Sequence, residues 1–391
     1  MKIAIVSSLR GGVGTFTLSL IYGLSKVSSD TFDVYVVSPQ ISSLHRELIS
    51  NFLSKRSNFR LVHLCDVNKK LLSGNIETIF RFLFGEVSFE NYDIVHFNYT
   101  WALGAYSIGS AFRSKNVAIV QTVHGLPPLK FVSPELTPFF FLENYVLKKI
   151  FLGGVIVVAN SHYLSNLLKK LNLRAITIHN GIVDFFFDRS IDKEHAKRLI
   201  DIGDKKVILY VGSIDKRKNP LPAILGAAYV CRKLKNCFLI LVHPRRTKLM
   251  EKVIRILNMY GVRYEVFHDL SLEELITTYE ASDIIVSSSK IESFGYTILE
   301  AMACAAYPIV MKAGAFPEIV GNAGTLVEDD NPKSFARAIY RCALLNQQKL
   351  EELQYLARQR AMMFTATNMA RKYLKIFNLL VEGCRSTHRN I

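Results

Sequence analysis

The chain has 391 residues, half of them apolar and 21% charged, with a net charge of +16. That is enough apolar material for about two packed domains, and it excludes a disordered chain. The positive excess is shared evenly, +8 over residues 1–200 and +8 over 201–391, so neither half stands out as a nucleic-acid module.

Residues 2–8 read as a first strand, and the chain enters it at Lys2 with no charged-then-apolar leader. The loop "SLRGGVGTF" follows, with a helix expected from about Thr15 to Lys26. A glycine-rich strand-to-helix turn suits an anionic ligand or simply a tight turn. Gly11 and Gly12 lack the full dinucleotide fingerprint, and no acid is well placed after a second strand at 33–38. Further strands fit near 60–64, 93–98, 117–123, 155–160 and 175–179. They are continuous runs rich in Ile and Val, which marks strands buried on both faces, as in parallel sheets. His124 in "QTVHG" ends one of them; it reads as a ligand contact or as a structural hydrogen-bonder.

A second set of β-α units opens at 205–220, "KKVILYVGSIDKRKNP". Its strand ends at Gly212-Ser213, and Lys216, Arg217 and Lys218 follow. Cations just beyond a parallel strand suit a phosphate, or form a solvated basic loop. Strands then fit near 237–243, 264–268, 284–289, 307–311 and 324–327, so two α/β halves meet near 182–204 and are expected to face across a cleft. The six cysteines show no C-x-x-C pair and read as small core residues of a reducing compartment. No apolar run reaches the ~18 residues of a membrane span. The expected location is cytoplasmic, soluble or peripheral at the cytoplasmic face of a membrane. With no zinc finger, RNA-recognition motif or basic zipper, nucleic acid is disfavoured as a partner.

The stretch "KIESFGYTILEAM" (290–302) carries Glu292 and Glu300 with seven residues between them. In one continuous helix they would lie ~12 Å apart, too far to act on one atom. With Glu292 in a loop, Gly295 at the turn and a helix from Tyr296 or Thr297, the carboxylates flank a helix N-terminus that attracts an anion. Two acceptors beside an anion site suit a hydroxyl-rich ligand next to a diphosphate, the layout of a nucleotide sugar. The alternative is an exposed loop glutamate and an ordinary helix glutamate.

The pieces "GGVGT" (11–15), "TVHG" (122–125), "VVANS" (157–161), "IHNGIVD" (178–184), "LYVGSIDKRKNP" (209–220), "IESFGYTILEAMAC" (291–304), "PIV" (308–310) and "FPEIV" (316–320) follow one another in order. In this the sequence resembles the retaining GT-B glycosyltransferases of family 4, the glycogen-synthase-like group. The resemblance implies an α/β GT-B fold of two doubly wound Rossmann-like domains: 1–182 with a returning helix 364–391 on the acceptor side, and 183–363 binding the nucleotide sugar. It implies that Glu300 accepts from ribose hydroxyls and that Glu292 sits by the donor sugar. Phe294, Gly295, Tyr296 and Thr297 would offer backbone N–H groups, Lys218 would neutralise the phosphates, Gly11 and Gly12 would close over the diphosphate, and His124 would touch the sugar near the reaction centre. Three positions depart from the family pattern. Ser213 stands where arginine is usual, Ala305 replaces a glycine, and "VHPRRTK" (242–248) replaces a glycine-rich turn that helps form the base pocket.

Retaining members react on one face of the sugar, the leaving diphosphate helping to deprotonate the acceptor. The protein's part is to orient substrates and stabilise charge. No D-x-D motif occurs, so no essential metal and no cofactor are expected. The expected partners are a UDP- or GDP-sugar and a glycan or lipid-linked hydroxyl acceptor. The Lys- and Phe-bearing stretches 45–60 and 127–152 suit an anionic membrane surface, or equally a core-facing helix with a basic edge. The alternatives are a non-catalytic nucleotide-sugar-binding protein and a nucleotide-sugar epimerase.

Overall fold

A computed structural model describes residues 1–37, 41, 43–52, 57–65, 71–98, 117–126, 155–187, 191–215, 217–243 and 247–388. The chain divides into two compact units, Met1–Val183 with Thr365–Ile391, and Asp184–Phe364.

The first unit contains β1 (Lys2–Ser7), α1 (Gly11–Val27), β2 (Thr31–Val36), α2 (Ser43–Phe52), β3 (Phe59–His63), α3 (Leu71–Leu83), β4 (Ile94–Phe97), β5 (Ala118–Val123), β6 (Ile156–Ala159), α4 (His162–Lys170) and β7 (Ile176–Thr177). The strands form one parallel sheet in the order β3-β2-β1-β4-β5-β6-β7. The second unit contains α5 (Lys193–Leu199), β8 (Lys206–Val211), α6 (Leu221–Lys233), β9 (Cys237–Val242), α7 (Lys248–Met259), β10 (Tyr264–Phe267), α8 (Leu272–Glu280), β11 (Ile284–Ser287), α9 (Tyr296–Ala303), β12 (Tyr307–Met311), α10 (Phe316–Val320), β13 (Thr325–Val327), α11 (Pro332–Ala343) and α12 (Gln347–Ala361). Its sheet is also parallel, in the order β10-β9-β8-β11-β12-β13. Each unit is thus doubly wound. The order reverses between β1 and β4 and again between β8 and β11, and such reversals open the crevices where α/β sheets hold ligands.

Helix α13 (Ala366–His388) belongs to the first unit and packs on α1. A Cβ on Gly23 of α1 would lie 2.2 Å from the Ala366 carbonyl oxygen, so only glycine lets the two backbones come this close. Beneath them, the His96 Nε2 and Thr122 Oγ1 lie 2.8 Å apart, and Tyr373 of α13 meets the same hydroxyl at 2.8 Å. All three side chains are buried, and Phe16 and Phe377 pack on the His96 and Tyr373 rings.

Among the boundaries that differ from the sequence expectation, two have a clear local cause. Helix α1 begins at Gly11 instead of Thr15, because the Gly14 N–H already reaches the Arg10 carbonyl (3.0 Å). A Cβ at Gly14 would press on Leu9 and His45, so glycine is what lets this turn close. Strand β11 stops at Ser287 instead of Ser289, because Ser288 turns its hydroxyl to the Asn219 carbonyl (2.5 Å) and accepts from the Ala223 N–H (3.2 Å). Residues 127–154 lie outside the described residues, and the expected interfacial stretch 127–152 with them. Among the described residues no helix is long and apolar enough to cross a membrane.

Gly23→Ala is predicted to lower the thermal midpoint of the first unit, at a cost of about 1–3 kcal/mol for overpacking. An unchanged midpoint would show that α13 does not hold this register against α1.

Candidate active site

The expected residues fall into two groups, one in each unit. In the second unit they collect at the order reversal between β8 and β11. After β8, Tyr210 donates to the Ser213 carbonyl (3.2 Å), and Ser213 donates its hydroxyl to Asp215 (2.6 Å). Asp215 accepts the Lys218 N–H (2.8 Å). Ser213 thus shapes this loop, through Asp215, at the position where the family pattern has arginine. Burial opposes ionisation of Asp215, but Ser213, the Lys218 N–H and the neighbouring cations hold its carboxyl below the usual range. Lys216 and residues 244–246 lie outside the described residues.

Lys218 Nζ meets Glu292 Oε2 at 2.6 Å, with 21% and 12% of the two side chains exposed. Glu292 is held from behind. Its carbonyl accepts the Ala315 N–H (2.8 Å), and a Cβ on Gly314 (φ +60°) would lie 2.3 Å from that carbonyl oxygen. Gly295 then takes φ +102° and begins α9, with no side-chain cap at that end. The left-handed residue turns the chain so that Glu292 stays outside the helix and Glu300 lies inside it. The Phe294 side chain is 2% exposed and packs on Tyr296 and Phe364. Its ring is core, so Phe294 can serve a ligand only through its backbone. Tyr296 and Thr297 form the first turn of α9, whose dipole favours an anion.

Glu300 is buried and accepts from the Tyr279 hydroxyl (2.8 Å). Burial pushes its carboxyl up to about 7, against the opposing hydrogen bond. Sequence reasoning missed Tyr279, whose role depends on α8 packing beside α9. It also missed Gly314, although a glycine before "FPEIV" was visible. Two further residues at this edge were given no role: Asp215, and His243, whose Nε2 accepts from the Ile214 N–H (3.2 Å).

In the first unit, Gly11 (φ +51°) and Gly12 open α1, and a Cβ on either would meet nothing within 4 Å. Packing therefore does not demand glycine at 12, and at 11 only the backbone angle does. His124 follows β5 with its ring against Phe16 (centroids 4.6 Å apart). Burial pulls its pKa down to about 3. It is a neutral imidazole at ordinary pH, able to hydrogen-bond but not to act as a cationic acid. Its Nε2 is buried without a hydrogen-bond partner among the described residues, as are both amide atoms of Asn98. Asn98 follows β4, and β4 pairs with β5.

The Glu300 value fixes a pH signature. The folded-state pKa lies above the ordinary 4.5, so the neutral carboxyl stabilises the fold. That contribution is complete below about 4.5 and is lost as pH rises through about 7. Glu300→Gln keeps a neutral acceptor for Tyr279. It is predicted to gain stability relative to the parent between about pH 5 and pH 8, on the order of 2 kcal/mol. Thermal midpoints across that range check it, and a constant offset would contradict the assigned burial.

Residues 191–360 match the family model "Glycosyl transferases group 1", and residues 10–184 match "Glycosyltransferase Family 4". A D-inositol 3-phosphate glycosyltransferase of Corynebacterium urealyticum is 27% identical over 199 residues, 48% of this chain and 46% of the relative, so the alignment spans about half of that protein. Among solved structures, a sucrose-phosphate synthase from Thermosynechococcus elongatus superposes with a TM-score of 0.77 at 19% identity, covering 98% of this chain and all of the other. Anabaena HepE in complex with UDP-glucose gives a TM-score of 0.72 at 17% identity, covering 97% of this chain and 99% of the other. With two doubly wound units, an E-x7-E element at a strand-order reversal and these matches along both halves, the chain belongs to the GT-B glycosyltransferases of family 4.

Proposed function

We propose that the protein is a retaining glycosyltransferase that moves a hexose from a nucleoside-diphosphate sugar to a hydroxyl acceptor. The observation that carries this reading is the arrangement around Gly295: a lysine, a loop carboxylate and a buried helix carboxylate set about one helix N-terminus. The diphosphate would lie against the start of α9 with Lys218 as its counter-charge. Glu300 would accept from the ribose hydroxyls, and Glu292 would face the sugar. The solved HepE complexes with UDP and UDP-glucose support uridine as the first base to test.

Catalysis in this reading is positioning and charge stabilisation. Lys218 and the α9 amides offset charge growing on the leaving phosphate. The leaving oxygen takes the acceptor's proton on the same sugar face. In the first unit, the neutral imidazole of His124 is equipped to hydrogen-bond a hydroxyl. A lipid-linked acceptor and a membrane surface remain part of the proposal on the strength of the sequence alone.

Calorimetric titration with UDP, GDP and their hexose conjugates tests the reading. Lys218→Met is predicted to weaken the diphosphate on the order of 10- to 100-fold while leaving uridine itself nearly unaffected. Glu300→Gln should weaken both most strongly above about pH 7, where it replaces an ionised carboxylate acceptor of the ribose by a neutral amide. Loss of diphosphate binding in neither variant would place the donor elsewhere. Donor binding without any transfer or donor hydrolysis would favour the non-catalytic alternative.

A further inference from the structure

The outer helical layer of the second unit carries a trough of about 830 Å³ between α6, α7 and α11. Its apolar lining includes Leu225, Ala228, Ile256 and Ala336. Three walls are large and open to solvent: Tyr229 is 56%, Met259 72% and Tyr260 47% exposed. Four cations, Arg232, Lys233, Lys333 and Arg337, stand among the lining residues, and no carboxylate does. None of the four forms an ion pair among the described residues. Two rest on aromatic faces instead: Arg232 over Tyr260 at 5.6 Å, and Lys233 over Tyr340 at 5.4 Å.

The Arg232 and Lys233 end of this trough lies away from the site around Lys218. Ala223, whose N–H meets Ser288, and Lys233 lie ten residues apart on α6, about 15 Å along the helix. Exposed apolar patches with polar rims mark interaction surfaces, and tyrosine and arginine dominate the energetics of such surfaces. The missing negative charge sets the partner's sign, since four cations around one apolar trough repel one another until an anionic body covers them. Its shape sets the partner's form. A flat bilayer does not fill a concave trough, and a small amphiphile lying in it would leave the tall Tyr229, Met259 and Tyr260 walls uncovered. A helix laid across it, apolar face down, would cover both.

We propose that this trough docks an acidic amphipathic helix of a partner protein, with apolar side chains in the trough and carboxylates on the Arg232, Lys233, Lys333 and Arg337 rim.

The test uses the full chain and a fluorescein-labelled peptide of about 18 residues, with Leu and Phe at i, i+3, i+4 and i+7 and Glu at the remaining positions. Anisotropy should show saturable binding that weakens on the order of tenfold between about 50 mM and about 500 mM salt. A scrambled peptide of the same composition should bind on the order of tenfold more weakly. The surface variants Lys233→Glu with Arg337→Glu, and separately Tyr260→Ala, should each lose on the order of tenfold in affinity at an unchanged thermal midpoint. Equal binding by parent and variants, or by ordered and scrambled peptides, would overturn the proposal. So would an absence of peptide binding, and co-sedimentation with anionic vesicles that depends on Lys233 and Arg337 would then assign the surface to lipid.

Discussion

The second unit is organised around the left-handed turn at Gly295. Two carboxylates eight positions apart can serve one ligand only if the chain between them changes direction, and φ +102° at Gly295 makes that change. The turn needs room and a fixed base. Gly314 supplies the room by letting the following segment lie against the Glu292 backbone, and the Ala315 N–H fixes the Glu292 carbonyl. Lys218 then meets Glu292 across the order reversal of the sheet, tying the loop after β8 to the loop after β11. A partly buried ion pair contributes little net stability, because desolvation offsets most of the attraction. What the pair fixes is position: it holds a cation at the entrance of α9.

The first unit shows the same economy in a different form. Its floor is a chain of buried groups, His96, Thr122 and Tyr373, linking two strands to the returning helix. Burial pulls His96, like His124, down to about 3, so both rings are neutral. Neutral imidazoles make directional hydrogen bonds without the cost of a buried charge. His124 is therefore equipped to orient a hydroxyl. Asn98, one strand over and also unpartnered among the described residues, extends that polar edge.

Much of this was legible in the sequence, for stated reasons. Buried parallel strands are continuous apolar runs, so each was found to within about two residues at its ends, whereas their order across the sheets is a tertiary fact with no local signature. The E-x7-E element with a glycine inside it showed the turn, since few residues other than glycine adopt that backbone angle. The glycine loop misled at its end: helical hydrogen bonding begins at Gly11 because Gly14 packs under Leu9 and His45, contacts that spacing does not reveal. Tyr279 was invisible because its partner, Glu300, lies twenty-one residues away on another helix. In the sequence Ser213 stands only as a departure from the family pattern. In the structure its hydroxyl orders Asp215, and Asp215 orders the Lys218 backbone.

On the proposed function, a nucleoside diphosphate seats at the start of α9, between the loops after β8 and β11. Amide hydrogen exchange of the intact chain, with and without UDP, tests it most directly. Slowed exchange is expected in the second unit only in the segments around 212–220 and 288–300, which hold Lys218, Glu292 and the α9 N-terminus. Protection at other strand ends with these two segments unchanged would contradict it.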